Sequence, residues 1–517
     1  MPAVTDIADH ARRAAQEAPH DTAWVYEGRE WTWAQAWESI QRTAGALRAD
    51  GVGRGDRIAV VDKNNPAILQ LVLGASLIGA ATAIVNWRLA GDELDYTIND
   101  AGAKVLFVGQ DLLEQVDVIR DRLTTVERQV VLGGENDEFE AWQGAGEPLE
   151  QAEDSSVEDP IVIMYSSGTT GRPKGVVLTQ RNLVAHTENA DTGIEYGADA
   201  RMLIAMPMFH VGGTSYAMFG IKNRVPGHII REVEPGALAG AMMAGVTHAF
   251  LVPAVVAMLL QAGPDAMRLF SGLRAFSYGA APMPLTILRG AQEHWPDTAF
   301  YQVYGLTEFC GVVTMLHDDE HRDLEHPERL VSAGKPIPGV EARVVDPATL
   351  RDVETGQPGE LWFRTEQATP GYHGRPEATA EIYAEDGWVR TGDIGRMDAD
   401  GYVYVEDRIK DMIITGGENV YSPEVERVLS EHPALLEVAV IGVPDETWGE
   451  SVKAVVALKP GAQATEAEII EWAREHLAHY KVPRSIDVVE LLPRNPSGKI
   501  LKRDLRKPYW AQATRQV

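Results

Sequence analysis

The stretch Met164-Tyr-Ser-Ser-Gly-Thr-Thr-Gly-Arg-Pro-Lys-Gly175 gathers hydroxyls, glycines and a lysine into one turn, directly after the apolar run Ile161-Val-Ile-Met164. Residues of these kinds hold phosphate. Gly168 and Gly171 let backbone N–H groups reach an anion unobstructed, Ser166, Ser167, Thr169 and Thr170 can donate O–H bonds, and Lys174 adds charge. The apolar flanks at 161–164 and 176–178 set the loop between two strands rather than in a Ser/Gly/Thr surface linker. It is not a Walker loop, since Pro173 precedes the lysine and Gly175 follows it, so kinase and GTPase readings weaken.

Outward from that loop, residues 58–63, 81–85 and 104–108 read as short buried strands separated by helical patterns, which predicts a parallel α/β layer. The alternation resumes at 160, with strands near 202–207, 248–252, 274–278 and 299–303 and helices such as Pro282 to His294. Ligands of such sheets bind beyond the carboxyl ends of the strands, where the loop and the segment from Tyr304 both fall. From about 331 short strands punctuated by Gly and Pro, with a hairpin turn at Asp398-Ala-Asp-Gly401, predict a small β subdomain. After Asp407 the pattern is a compact α+β unit with helices near 422–431 and 465–478. The expected domains are 1–409 and 410–517.

With 517 residues the chain exceeds the size at which a single core stops growing. A formal net charge of −29 argues against nucleic acid or an anionic membrane as principal partner. Nearly all of that excess lies before Asp411, whereas Lys499 to Lys507 is locally basic, which suits a lid that meets phosphates or simply a solvated helix end. The single cysteine, Cys310, excludes an internal disulfide and a thiolate-rich zinc site and points to a reducing compartment. No leader pattern opens the chain, so cytoplasmic residence is expected. The apolar run 67–85 is long enough to imitate a membrane span. Its Gln70, Ser76 and Thr82, two glycines and the start signal Asn64-Asn-Pro66 predict a buried helix followed by a buried strand instead.

Four further segments follow in order: Tyr304-Gly-Leu-Thr-Glu308, Arg390-Thr-Gly-Asp393, Asp407-Arg-Ile-Lys-Asp-Met-Ile-Ile-Thr-Gly-Gly-Glu-Asn419 and Pro496-Ser-Gly-Lys499. Singly each is weak. Together, at these distances, they resemble the adenylate-forming superfamily of acyl- and aryl-CoA synthetases, luciferases and peptide-synthetase adenylation domains, over roughly residues 20–510. The resemblance implies a large N-terminal domain of parallel α/β layers with a small β subdomain, then a small mobile α+β domain. It also implies a two-step reaction: a carboxylate attacks the α-phosphate of Mg-ATP, giving acyl-AMP and pyrophosphate, and the thiol of coenzyme A then attacks the acyl carbon. ATP, Mg²⁺ and coenzyme A are therefore expected.

Carried over residue by residue, Lys499 matches the catalytic lysine, Glu308 the Mg²⁺ ligand and Thr307 a phosphate contact, while Thr170 is the loop hydroxyl given a catalytic part. Asp393 matches the acceptor of both ribose hydroxyls, joined by Arg408. Gly279, Ala280 and Ala281 match the adenine and acyl contact segment, with tight packing as the rival account, and Tyr304 with Gly305 borders the purine. Lys410 matches the hinge, and Gly416, Gly417 and Glu418 belong to the loop that lines the pantetheine channel. Peptide-synthetase members carry Phe-Asp where this chain has Phe209-His210, so an amine is not being recognised, and His210 resembles the aromatic gate of acyl and aryl-CoA ligases.

The activity expected is an ATP-dependent acyl-CoA synthetase for a medium or long-chain fatty acid, with Met206, Met208, Val211, Gly212, Gly213 and Met218 forming a pliable apolar pocket. The rivals are an aryl or alicyclic acid CoA ligase and an adenylate-binding protein without thioester chemistry. The partners expected are small molecules, with no nucleic acid and no transmembrane segment. Peripheral membrane contact and a homodimer stay open. His317 and His321, with His326, have the spacing of a metal pair but read as a solvated polar surface before a Pro-rich loop.

Overall fold

The computed structural model describes residues 6–510, apart from 90, 151–154, 167–171, 192, 417, 446 and 495–499. Its strands form four sheets. The loop motif belongs to a seven-stranded sheet running Gly371–Tyr372, Lys174–Thr179, Pro160–Ser166, Ala81–Ile84, Arg57–Val61, Val105–Gly109 and Arg128–Leu132. From Pro160–Ser166 to Arg128–Leu132 every pairing is parallel, and these strands are apolar almost throughout because helices cover both faces. The expected parallel layer stops there, because Lys174–Thr179 turns back antiparallel on Pro160–Ser166. An apolar run sets burial, not direction.

A nine-stranded sheet carries the second motif. It runs Lys335–Pro336, Gly311–Leu316, Ala299–Leu306, Ala275–Gly279, His248–Leu251, Met202–Ile204, Gly227–Ile229, Thr22–Tyr26 and Arg29–Thr32. The predicted strands from 202 to 303 all lie here, in parallel, with antiparallel pairs at both ends. The helix expected from Pro282 begins at Leu285, after Pro282 and Pro284.

The third sheet is the expected small β unit, five antiparallel strands ordered Arg351–Asp352, Glu341–Asp346, Gly359–Arg364, Val389–Met397 and Val403–Arg408. Asp398 Oδ1 accepts from the backbone N–H groups of Asp400 and Tyr402, which builds the hairpin turn. The fourth sheet begins at Ile413 and packs against helices Ser422–Ser430 and Glu466–His476.

The segment that imitated a membrane span is helix Pro66–Ser76 followed by strand Ala81–Ile84, both inside the core, with Asn65 capping the helix. Among the described residues no helix is long and apolar enough to cross a membrane.

Candidate active site

A cavity of about 3270 Å³ opens where the first, second and third sheets end and the fourth faces them. Ser166 and Lys174 line it, paired across the open end of their hairpin. Ser167, Gly168, Thr169, Thr170, Gly171, Gly417 and Lys499 lie outside the described residues.

Strand Ala299–Leu306 delivers Tyr304 and Gly305 to the cavity, and the tight turn Thr307–Phe309 delivers Thr307 and Glu308. Gly305 is required by packing, since a Cβ there would lie 1.6 Å from the Gly311 carbonyl oxygen. Glu308 is oriented by Tyr372, whose hydroxyl donates to Oε1 at 2.7 Å, and Lys174 Nζ sits 5.0 Å over the same tyrosine ring. Burial and the Glu308 carboxylate push the Tyr372 phenol well above its ordinary range, which keeps it a donor. No sequence pattern pointed to Tyr372.

Asp393 is 4% exposed, in strand Val389–Met397. Tyr304 donates to its Oδ2 at 2.7 Å, while Oδ1 lies 3.1 Å from Arg408 Nε yet has no hydrogen-bond donor among the described residues. The Asp393 carboxylate raises the Arg408 guanidinium above its ordinary value, and burial raises the Tyr304 phenol, so the arginine stays charged and the phenol stays a donor near neutrality. Tyr304 thus points its hydroxyl at the Asp393 carboxylate.

Three expectations need correction. Gly279 does not line the cavity: a Cβ there would lie 2.4 Å from the Val303 carbonyl oxygen, so its role is close strand packing, and only Ala280 and Ala281 reach the cavity wall. Ala280 adopts φ 64°, a strained left-handed conformation for a residue with a Cβ. The methionines Met206, Met208 and Met218 are core residues, and a Cβ on Gly213 would strike the Pro207 and Met206 carbonyl oxygens, so of the expected pocket residues only Val211 reaches the cavity. His321 is buried rather than solvated, with its Nε2 2.8 Å from the Tyr278 hydroxyl.

His210 does line the cavity. Its Nδ1 accepts from Gly212 N at 3.2 Å and caps helix Val211–Asn223, and burial lowers its pKa, so the ring is neutral. Beside Val211, the apolar wall comes from residues that sequence reading missed: Val252, Ala257 and Met258 around helix Pro253–Ala262, then Met283, Leu285 and Ile287.

Lys410 also lines the cavity, in a turn closed by the Asp411 N–H to the Arg408 carbonyl at 2.8 Å. Helix Lys502–Trp510 clamps this turn, with Arg506 donating to the Lys410 carbonyl at 2.8 Å and pairing with Asp411. Gly416, with φ 60°, packs against the Trp448 ring, and Glu418 opens the next strand, exposed.

Residues 11–373 match the AMP-binding enzymes and residues 424–499 the AMP-binding enzyme C-terminal domain; the chain belongs to this family. Its relatives include a feruloyl-CoA synthase of an Amycolatopsis species, 36% identical over 96% of this chain and 98% of the relative. The long-chain-fatty-acid–CoA ligase FadD13 of Mycobacterium tuberculosis is 34% identical over 97% of this chain and 98% of the relative. The o-succinylbenzoate CoA synthetase of Bacillus subtilis, solved with its acyl-adenylate intermediate, superposes with a TM-score of 0.84 at 28% identity, covering 98% of both chains. The chain is an AMP-forming acid–CoA ligase, with ATP and coenzyme A as co-substrates and Mg²⁺ as its metal.

Proposed function

We propose that the acid is a medium or long-chain fatty acid. One observation carries this reading: the cavity wall from Val252 to Met258 and from Met283 to Ile287 is aliphatic, with methionines and no aromatic ring. Flexible methionines suit an alkyl chain, whereas a flat aryl acid gains most from stacking partners that this wall lacks. The likeness to FadD13 supports the same class. CoA-dependent AMP release, measured over fatty acids of graded length beside benzoate and ferulate, tests it. A rate maximum at medium or long alkyl chains is expected, and a maximum at an aryl acid overturns the reading.

The proposed division of labour follows the cavity. Ser166 and Lys174, with residues 167–171 between them, grip the triphosphate. Asp393 takes the ribose hydroxyls: its Oδ1 is a buried acceptor without a donor among the described residues, which a hydroxyl would satisfy. Glu308 and Thr307 face the phosphates. Among the described residues no group of three or more His, Cys, Asp and Glu side chains could hold a metal, yet a lone oriented carboxylate fits Mg²⁺, which keeps waters and takes substrate phosphate oxygens. Bound there, Mg²⁺ supplies neutralisation of phosphate charge. The remaining barrier is the approach of one anion to another, and Lys499 is the proposed mobile cation for it.

In the first step a carboxylate oxygen of the acid bonds to the α-phosphorus and pyrophosphate leaves. In the second the thiol sulfur bonds to the acyl carbon, AMP leaves and the thiol proton is released. A boundary at 409/410 makes residues 410–517 the moving unit, turning at Lys410. His210 and Ala281 border the acyl group at the mouth of the aliphatic wall.

A further inference from the structure

The hairpin carrying Ser166 and Lys174 is gripped from behind by side chains outside every motif. Helix Asp92–Ala101 presents Tyr96 and Asp100, four residues apart and so on one face. Asp100 accepts from the hydroxyl of Tyr165, the residue before Ser166, at 2.9 Å, and from Arg375 Nη2 at 2.5 Å. Arg375 Nη2 also donates to the Tyr96 hydroxyl at 3.0 Å, and that hydroxyl donates at 3.2 Å to the carbonyl of Pro173, the residue before Lys174. Arg172 lies 4.8 Å over the Tyr96 ring. Both limbs of the hairpin therefore end on one ion pair.

The same pair reaches Glu308. Arg375 donates its backbone N–H to the Tyr372 carbonyl at 3.1 Å, and Tyr372 holds Glu308 through its hydroxyl. Between them the His373 N–H donates to the Gly175 carbonyl at 2.7 Å. The Asp100 side chain is 10% exposed, so its bonds act with little solvent screening. Tyr96, Asp100 and Arg375 do not themselves line the cavity.

We infer that Tyr96, Asp100 and Arg375 are positioning residues that fix the spacing of Ser166, Lys174 and Glu308, and thereby set the affinity for ATP and pyrophosphate. The inference rests on the reading that Ser166 and Lys174 grip the triphosphate. A carboxylate suits the junction because it accepts from two donors at once. An amide at position 100 accepts from one and turns an N–H₂ toward the other.

Asp100→Asn, Arg375→Gln, Tyr96→Phe and Lys174→Ala are to be assayed in both half-reactions. For Asp100→Asn and Arg375→Gln, the KM for ATP and the inhibition constant for pyrophosphate are expected to rise about tenfold, the scale of one lost charge-assisted bond. Tyr96→Phe should move them less, and Arg375→Lys should recover part of the loss. The KM for the acid and thioester formation from supplied acyl-AMP should stay at wild type, which general loss of structure would not allow. An unchanged ATP KM in folded Asp100→Asn and Arg375→Gln, with Lys174→Ala raising it, overturns the positioning role alone. No effect of Lys174→Ala overturns the triphosphate reading and the inference with it. Equal loss in both half-reactions with a lowered Tm assigns the ion pair to fold support and likewise overturns the inference.

Discussion

The buried Oδ1 of Asp393 lacks a donor among the described residues, and such an atom costs about 1–3 kcal/mol until something satisfies it. Asp393→Ala removes that acceptor, so the KM for ATP should rise roughly tenfold or more while acid binding holds. Initial rates over ATP and acid concentrations check this, and an unchanged ATP KM removes Asp393 from nucleotide binding. Lys499→Ala should slow acyl-AMP formation by about 10²–10³, the loss typical of one preorganised stabilising group, and spare thioester formation from supplied acyl-AMP. Equal loss in both half-reactions would contradict a lysine used only in the first. His186 carries a pH dependence: burial lowers its pKa from 6.5 to about 3, and its Nε2 accepts from Val312 N at 3.0 Å. The unfolded chain takes up a proton near 6.5 and the folded chain does not, so stability falls with acidification below 6.5, by about 1.4 kcal/mol per pH unit from this group. Urea midpoints should drop accordingly, with a shallower slope in His186→Gln; an equal slope would place the effect on other groups. At this scale the sequence singled out Asp393 and Glu308, both of which line the cavity, because their motifs are local. It did not disclose Tyr372, whose bond to Glu308 joins residues 64 positions apart.

Strands and helices were the most legible level. Helix Pro66–Ser76 and the hairpin around Asp398–Gly401 were readable because cap and turn chemistry sit within a few residues. The reversal of Lys174–Thr179 was not, nor was the role of Gly213, because close backbone approach leaves no trace in composition. Helix Val211–Asn223 therefore separates two effects. Gly213→Ala should cost about 1–3 kcal/mol of stability, since its Cβ would lie 2.3 Å from the Pro207 carbonyl oxygen, and leave the preferred acid unchanged. Met258→Phe in helix Pro253–Ala262 should do the reverse, shifting preference toward shorter acids, with about 0.8 kcal/mol forfeited for each methylene excluded. Thermal unfolding and an acyl-length profile of both variants check the pair, and an unmoved profile in folded Met258→Phe would place the chain elsewhere.

At the scale of the whole molecule, the two half-reactions are proposed to share one moving unit, residues 410–517. Lys410 is the third residue of the turn from Arg408 to Asp411, a position where proline forces the preceding residue out of the helical region. Lys410→Pro should therefore unbalance the half-reactions, one falling while the other persists, and wild-type rates in both would move the hinge. The central claim, that the acid is activated as an adenylate, has a more direct test. With an acid labelled with oxygen-18 in its carboxylate, the bond to the α-phosphorus forms through an acid oxygen and stays with phosphorus when the thiol displaces AMP. Mass analysis of the products should find one labelled oxygen in AMP for each acyl-CoA formed. Unlabelled AMP, or label appearing in orthophosphate with ADP as the nucleotide product, would contradict the account.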